Sequence, residues 1–132
     1  MANLIKNGDF SQEGNEWTAS NPDNVVYEEG YCLIGSQDSI SQDVVIGNGG
    51  TFKLSARLKT DRGFGSRVSV QPHPTGEPTY LYASGGQPWT EASEVFSVQT
   101  GTLKLTITLL ANDGPFDEKG SYFDDLELLR QP

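Results

Sequence analysis

The chain has one cysteine and one histidine in 132 residues. A single cysteine excludes an internal disulfide. Cys32 lies in the apolar run Tyr31-Cys32-Leu33-Ile34, where an unpaired thiol serves as a small buried hydrophobe. No basic residue stands near it in the sequence to lower its pKa, so no reactive role is expected. Basic residues are scarce throughout, with 9 lysines and arginines against 18 acidic residues and a net charge of −9. Nucleic-acid affinity rests on cations that displace counterions from phosphates, so a nucleic-acid partner is excluded. An anionic membrane surface is disfavoured for the same reason. The acidic excess suits a neutral ligand or a divalent cation. Long apolar runs are also missing: nothing approaches the length that spans a membrane, and the first twenty residues lack the core of a signal peptide. That leaves open an intracellular protein, another export route, or a domain cut from a longer secreted chain. The Met1-Ala2 start leads us to expect a stand-alone product.

Catalytic signatures are absent as well: there is no Gly-x-Ser-x-Gly, no His-Glu-x-x-His and no phosphate-binding loop. Carboxylates are plentiful, but glycoside hydrolysis needs two of them flanking a deep cleft, which a sandwich of this length can hardly build. The expectation is a protein that is not an enzyme.

No segment shows apolar residues at helical spacing. What recurs is period-two alternation bounded by Gly, Asn, Asp and Pro. In Thr51–Thr60, Phe52, Leu54, Ala56 and Leu58 alternate with Lys53, Ser55, Arg57 and Lys59. In Thr102–Leu109, Leu103, Leu105, Ile107 and Leu109 alternate with polar residues in the same way. Each reads as a strand with one buried and one solvated face. Val25–Tyr27 and Tyr31–Ile34 flank Glu28-Glu29-Gly30 as a hairpin, and Ser39–Ile46, Ser66–Gln71, Thr79–Ala83, Ala92–Val98 and Ser121–Leu129 complete the set. The 15 glycines and 7 prolines fall mostly between these runs, where turns need them. About nine short strands without repeats or linkers predict one all-β domain over residues 1–132, an antiparallel β-sandwich or jelly roll.

Segments at both ends carry a resemblance. Asn3-Leu4-Ile5-Lys6-Asn7-Gly8-Asp9-Phe10 followed by Trp17 is similar to the opening of the jelly-roll carbohydrate-binding modules of families 4, 9 and 22. Tyr122-Phe123-Asp124-Asp125-Leu126-Glu127-Leu128 resembles their closing strand, and Gly50–Ala56, then Trp89-Thr90 and Phe96, match inner landmarks in order. The resemblance implies a lectin-like, sugar-binding module, with Trp17 and Trp89 packed structurally. It also implies a structural calcium shared by the first and last strands. By alternation Asp124 falls on the face of Leu126 and Leu128 and points inward, where a cation would relieve an unpaired carboxylate. Ser11 stands where the family often has glutamate, which leaves Asp9 or Glu13 to replace it, or an empty site. The bland alternative has Asp124 accepting backbone hydrogen bonds with no metal.

A sugar site needs an aromatic platform beside planar hydrogen-bonding groups. If Val68, Val70 and Leu81 face the core, then Arg67, Ser69, Gln71, Tyr80 and Tyr82 share an outer face beside Lys104, Thr106 and Thr108. Tyr80, Tyr82, Arg67 and Gln71 are the expected ligand contacts. The bland alternative is a tyrosine pair that only stabilises a hairpin. Rim loops at 61–65, 72–78 and 111–120 offer Phe64, His73 and Phe116 as further stacking groups, although His73, between two prolines, reads more simply as a loop residue. The rival function is a protein–protein interaction module, an adhesin or toxin accessory domain, since a fold does not settle a function.

Overall fold

A computed structural model of the chain describes residues 2–28, 30–115 and 118–132; Glu29 in the expected hairpin turn and Phe116 in the expected rim lie outside the described residues. The strands are β1 (Thr18–Ala19), β2 (Val25–Glu28), β3 (Tyr31–Gly35), β4 (Ser39–Val45), β5 (Gly50–Thr60), β6 (Phe64–His73), β7 (Thr79–Ser84), β8 (Thr90–Val98), β9 (Lys104–Asp113) and β10 (Lys119–Arg130). They form two antiparallel five-stranded sheets, a front sheet ordered β1-β4-β9-β6-β7 and a back sheet ordered β2-β3-β10-β5-β8. The strand beyond the expected nine is β1, whose two residues are too few to show any alternation.

Alternation explains the packing directly. Val68, Val70, Leu81, Ile107 and Leu109 of the front sheet face Leu54, Leu58, Ile34 and Phe123 of the back sheet, all nearly or wholly buried. A core of this kind is worth roughly 25 cal/mol per Å² of apolar surface removed from water. Cys32 is fully buried among these side chains, and burial pushes its thiol pKa up, as suits an inert hydrophobe.

Residues 3–8 run along the last strand. The Leu4 N–H donates to the Leu128 carbonyl and the Leu126 N–H to the Gly8 carbonyl, each at 2.9 Å. The Asn3 side chain donates to the Leu126 carbonyl and accepts from the Leu128 N–H, again at 2.9 Å. A Cβ at position 8 would collide with the Leu126 carbonyl, which accounts for the glycine. Trp17 is buried against Phe10, with ring centroids 5.7 Å apart, and its indole N–H donates to the Asn7 carbonyl. The opening motif is therefore a lock between the two ends of the chain.

One expectation fails in β10. Its register with β5 shifts between Asp124 and Glu127, where Asp125 adopts a φ of 49°. This bulge resets the alternation, so Leu126 and Leu128 face the core while Asp124 does not share their face. Asp124 is instead paired opposite Arg57, and Phe123 is the inward neighbour.

Candidate functional site

The outer face of the front sheet collects the expected sugar-binding residues. Strand β6 pairs with β7 on one side and β9 on the other, as the sequence predicts. Val68, Val70 and Leu81 are buried, so Arg67, Ser69 and Gln71 turn outward beside Tyr80 and Tyr82, which are 51% and 50% exposed. The register lays these residues in rows. Tyr82, Arg67, Leu110 and Ser39 form one row, and Tyr80, Ser69, Thr108 and Ser41 the next. Gln71, Thr106 and Asp43 follow, then His73 and Lys104.

The rings are held in place. The Arg67 guanidinium lies 5.3 Å from the Tyr80 ring centre, and the Tyr82 hydroxyl donates to Asp113 Oδ2 at 3.2 Å. Gln71 also braces the chain: its amide N–H₂ donates to the carbonyls of Pro72 and Gly76, both at 3.1 Å, pinning the loop after β6. His73 ends β6 rather than lying in that loop, and its Nε2 hydrogen-bonds Thr106 Oγ1 at 2.9 Å. Thr106 in turn donates to Asp43 at 2.6 Å, and Lys104 pairs with Asp43 at 3.2 Å. The hydrogen bond from Thr106 is the main reason the Asp43 carboxyl is held below its usual pKa.

Two residues that carry no signal in the sequence complete the face. Among the described residues, only Arg67 Nε and Asn112 Oδ1 are buried side-chain polar atoms without a hydrogen-bond partner. Asn112 sits opposite Gly65 in the register, next to the Arg67 row. A Cβ at Gly65 would come within 2.9 Å of the Asn112 carbonyl, 3.0 Å of Asn112 Oδ1 and 3.2 Å of the Tyr82 hydroxyl. The glycine thus lets Asn112 and Tyr82 pack closely over the strand, where a side chain would not fit. No local motif marks Asn112 or Gly65, because only the pairing of β6 with β9 brings them together.

Phe64 is a correction. It is 7% exposed, with Gly114 and Gly120 backed onto its ring, so it seals the rim of the sandwich and offers no stacking surface. The rim itself is shorter than expected, because Ala111–Asp113 belongs to β9 and Lys119–Gly120 to β10. Trp89 is packed against other aromatic rings, but outside the core. It is only half-buried on the back sheet's outer face, beside Tyr31 and Tyr122 at 6.0 and 6.2 Å.

The expected calcium ligands Asp124, Asp9 and Glu13 border one cavity of about 660 Å³ between the N-terminal segment and the β2–β3 hairpin. Asp124 is 8% exposed and accepts from the Asp125 N–H at 2.7 Å. Burial pushes its carboxyl pKa up to about 6. The Asp125 N–H and the charge of Arg57 offset only part of that cost. Asp9, by contrast, accepts from the Ser11 N–H, which lowers its pKa. Among the described residues no group of three or more His, Cys, Asp or Glu side chains is spaced to hold a metal. Carboxylates alone do not make a calcium shell here, and most donors would have to be backbone carbonyls and water.

No protein-family model matches the sequence, and no curated protein matches it. Solved structures do. A family 61 carbohydrate-binding module in complex with β-1,4-galactotriose superposes with a TM-score of 0.77 at 17% identity, covering 99% of this chain and 100% of that one. A family 16 carbohydrate-binding module gives a TM-score of 0.65 at 19% identity over 97% of this chain and 100% of that one. A family 6 module from Cellvibrio mixtus lichenase 5A, in complex with cellotriose, gives 0.53 at 15% identity over 99% and 98%. The chain has the jelly-roll fold of carbohydrate-binding modules.

Proposed function

We propose that the protein binds glycans without altering them, on the outer face of the front sheet. Tyr80 and Tyr82 supply apolar ring faces for the C–H surface of a sugar, and Arg67, Gln71 and Asn112 supply planar polar groups for its hydroxyls. The observation that carries the reading is the half-exposed pair Tyr80 and Tyr82, with the Arg67 guanidinium 5.3 Å from the Tyr80 ring centre on the same outer face. The fold supports the same class of ligand, since neighbours of this shape hold galactotriose and cellotriose.

A neutral sugar suits the acidic chain better than a uronate. The carboxylates of this face are already engaged, Asp43 by Thr106 and Lys104 and Asp113 by Tyr82. They do not flank a cleft as a hydrolytic pair would, which supports binding without catalysis. A structural calcium at Asp124, with Asp9 nearby, is a separate part of the proposal. It rests on the buried carboxylate and on the closing-strand resemblance.

The test is a glycan array followed by calorimetric titration of wild type and a Tyr80→Ala/Tyr82→Ala variant. Sugar binding by wild type that weakens at least about 30-fold in the variant, equivalent to ~2 kcal/mol, supports this face. Equal binding by both rejects it.

A further inference from the structure

The back sheet has an open groove of about 520 Å³ that the front-face reading does not use. It lies where residues 3–12 of the N-terminal segment cross beside β5 and β10, and its size falls in the usual range of small-ligand sites. Its polar lining includes Arg57, Glu91, Asp125 and Glu127. At one side Arg57 leads to an aromatic cluster: its guanidinium is 5.2 Å from the Trp89 ring centre. Trp89 in turn meets Tyr31 and Tyr122.

The state of Arg57 is the informative detail. Its guanidinium is steadied by Trp89 and by Asp125 at 3.8 Å, yet none of its N–H groups makes a hydrogen bond among the described residues. A planar guanidinium that rests on an indole and keeps its donors open can take an incoming acceptor. Facing it are Glu91 and Glu127, exposed carboxylates that form no ion pair among the described residues. Carboxylates beside a guanidinium match the needs of a hydroxyl-rich, uncharged ring, since adjacent hydroxyls can donate to one group and accept from the other. An anionic sugar would meet an excess of negative charge.

We infer that this groove is a second sugar site, independent of the front face, with Arg57 as its anchor and Trp89 backing the guanidinium from outside the groove. The ligand class rests on the proposed function above; the location rests on the groove itself. Because the hydrophobic core separates the two sites, one molecule can hold two glycan chains and cross-link them.

The experiment uses uniformly ¹⁵N-labelled full-length protein titrated with cellotriose, β-1,4-galactotriose and xylohexaose, with calorimetry for stoichiometry. The expected result is a shift of the Trp89 indole N–H and the Arg57 and Asp125 amides with at least one sugar. It persists in Tyr80→Ala/Tyr82→Ala and is lost in Arg57→Gln, whose melting temperature stays near that of wild type. Wild type then binds two sugars per chain and each variant one. Shifts confined to the front face, with one sugar per chain, overturn the second site and leave the first standing. Shifts confined to the groove support the second site and overturn the first. No shift with any of the three sugars overturns both.

Discussion

The two outer faces of the sandwich use aromatic side chains in contrasting ways. On the front, Tyr80 and Tyr82 stand half exposed in a row of outward residues, and the polar atoms left over are buried and unpaired. On the back, Tyr122 donates to Asp61 at 3.0 Å, Lys59 lies 4.6 Å from its ring, and Tyr31 and Trp89 pack on its edges. Burial, helped by the bond to Asp61, raises the Tyr122 hydroxyl pKa to about 12. The back cluster is largely satisfied by its own neighbours, and what it leaves open is the groove beyond Arg57. An exposed aromatic therefore says little alone. What distinguishes a platform from a structural cluster is whether the polar groups around the rings already have partners.

Four measurements test that contrast. The largest effect is expected from Phe123→Ala, which empties a fully buried site between the sheets and should cost about 3–5 kcal/mol in denaturant unfolding. It should abolish binding at both faces together, and selective loss at one would show that the faces do not share a core. Next comes Tyr80→Ala/Tyr82→Ala, with the ~2 kcal/mol loss of sugar affinity given above but little change in stability, since both side chains are half exposed. A comparable fall in melting temperature would make the tyrosines hairpin supports and erase the contrast.

Gly65→Ala should follow. The added methyl presses on the Asn112 backbone at 2.9 Å and displaces Asn112 and the Tyr82 hydroxyl, so about 1–2 kcal/mol of stability and roughly tenfold in sugar affinity should be lost. Unchanged affinity would remove Asn112 from the site. The smallest effect concerns Asp124, on the central strand of the back sheet beside the N-terminal segment. The folded-state pKa of Asp124 lies above its ordinary value of 3.8, so the native state binds the extra proton. Its ionisation penalty is present above about pH 6 and is relieved as the pH falls toward 3.8. Without calcium, Asp124→Asn should therefore be more stable than wild type by about 1 kcal/mol at pH 7.5, with the difference gone near pH 4. If calcium binds as proposed, adding it raises the melting temperature of wild type but not of the variant.

Much of this arrangement is written in local pattern. Alternation in Thr51–Thr60 and around Leu105 and Leu109 identifies inward residues without any structure, and Leu81 between Tyr80 and Tyr82 places both tyrosines outward. Pattern fails where geometry breaks period two or depends on register. The bulge at Asp125 reverses the face of Asp124 with no proline or glycine to announce it. Phe64 looks like a rim aromatic until Gly114 and Gly120, fifty or more positions away, are seen to cover it. Asn112 has meaning only opposite Gly65, a pairing across 47 positions that no spacing rule encodes. Trp89 fits its landmark in order but not in burial, because the back sheet leaves it on the outside.

The antiparallel lock between residues 3–8 and 126–128 gives the fold a direction of mechanical weakness. Leu4 bonds to Leu128 and Gly8 to Leu126, so tension applied through the two ends loads these hydrogen bonds one after another, as a zipper opens, rather than all together in shear. A protein pulled by its ends would first lose the Asn3 clasp, then the wall of the Arg57 groove, while the front face stayed folded.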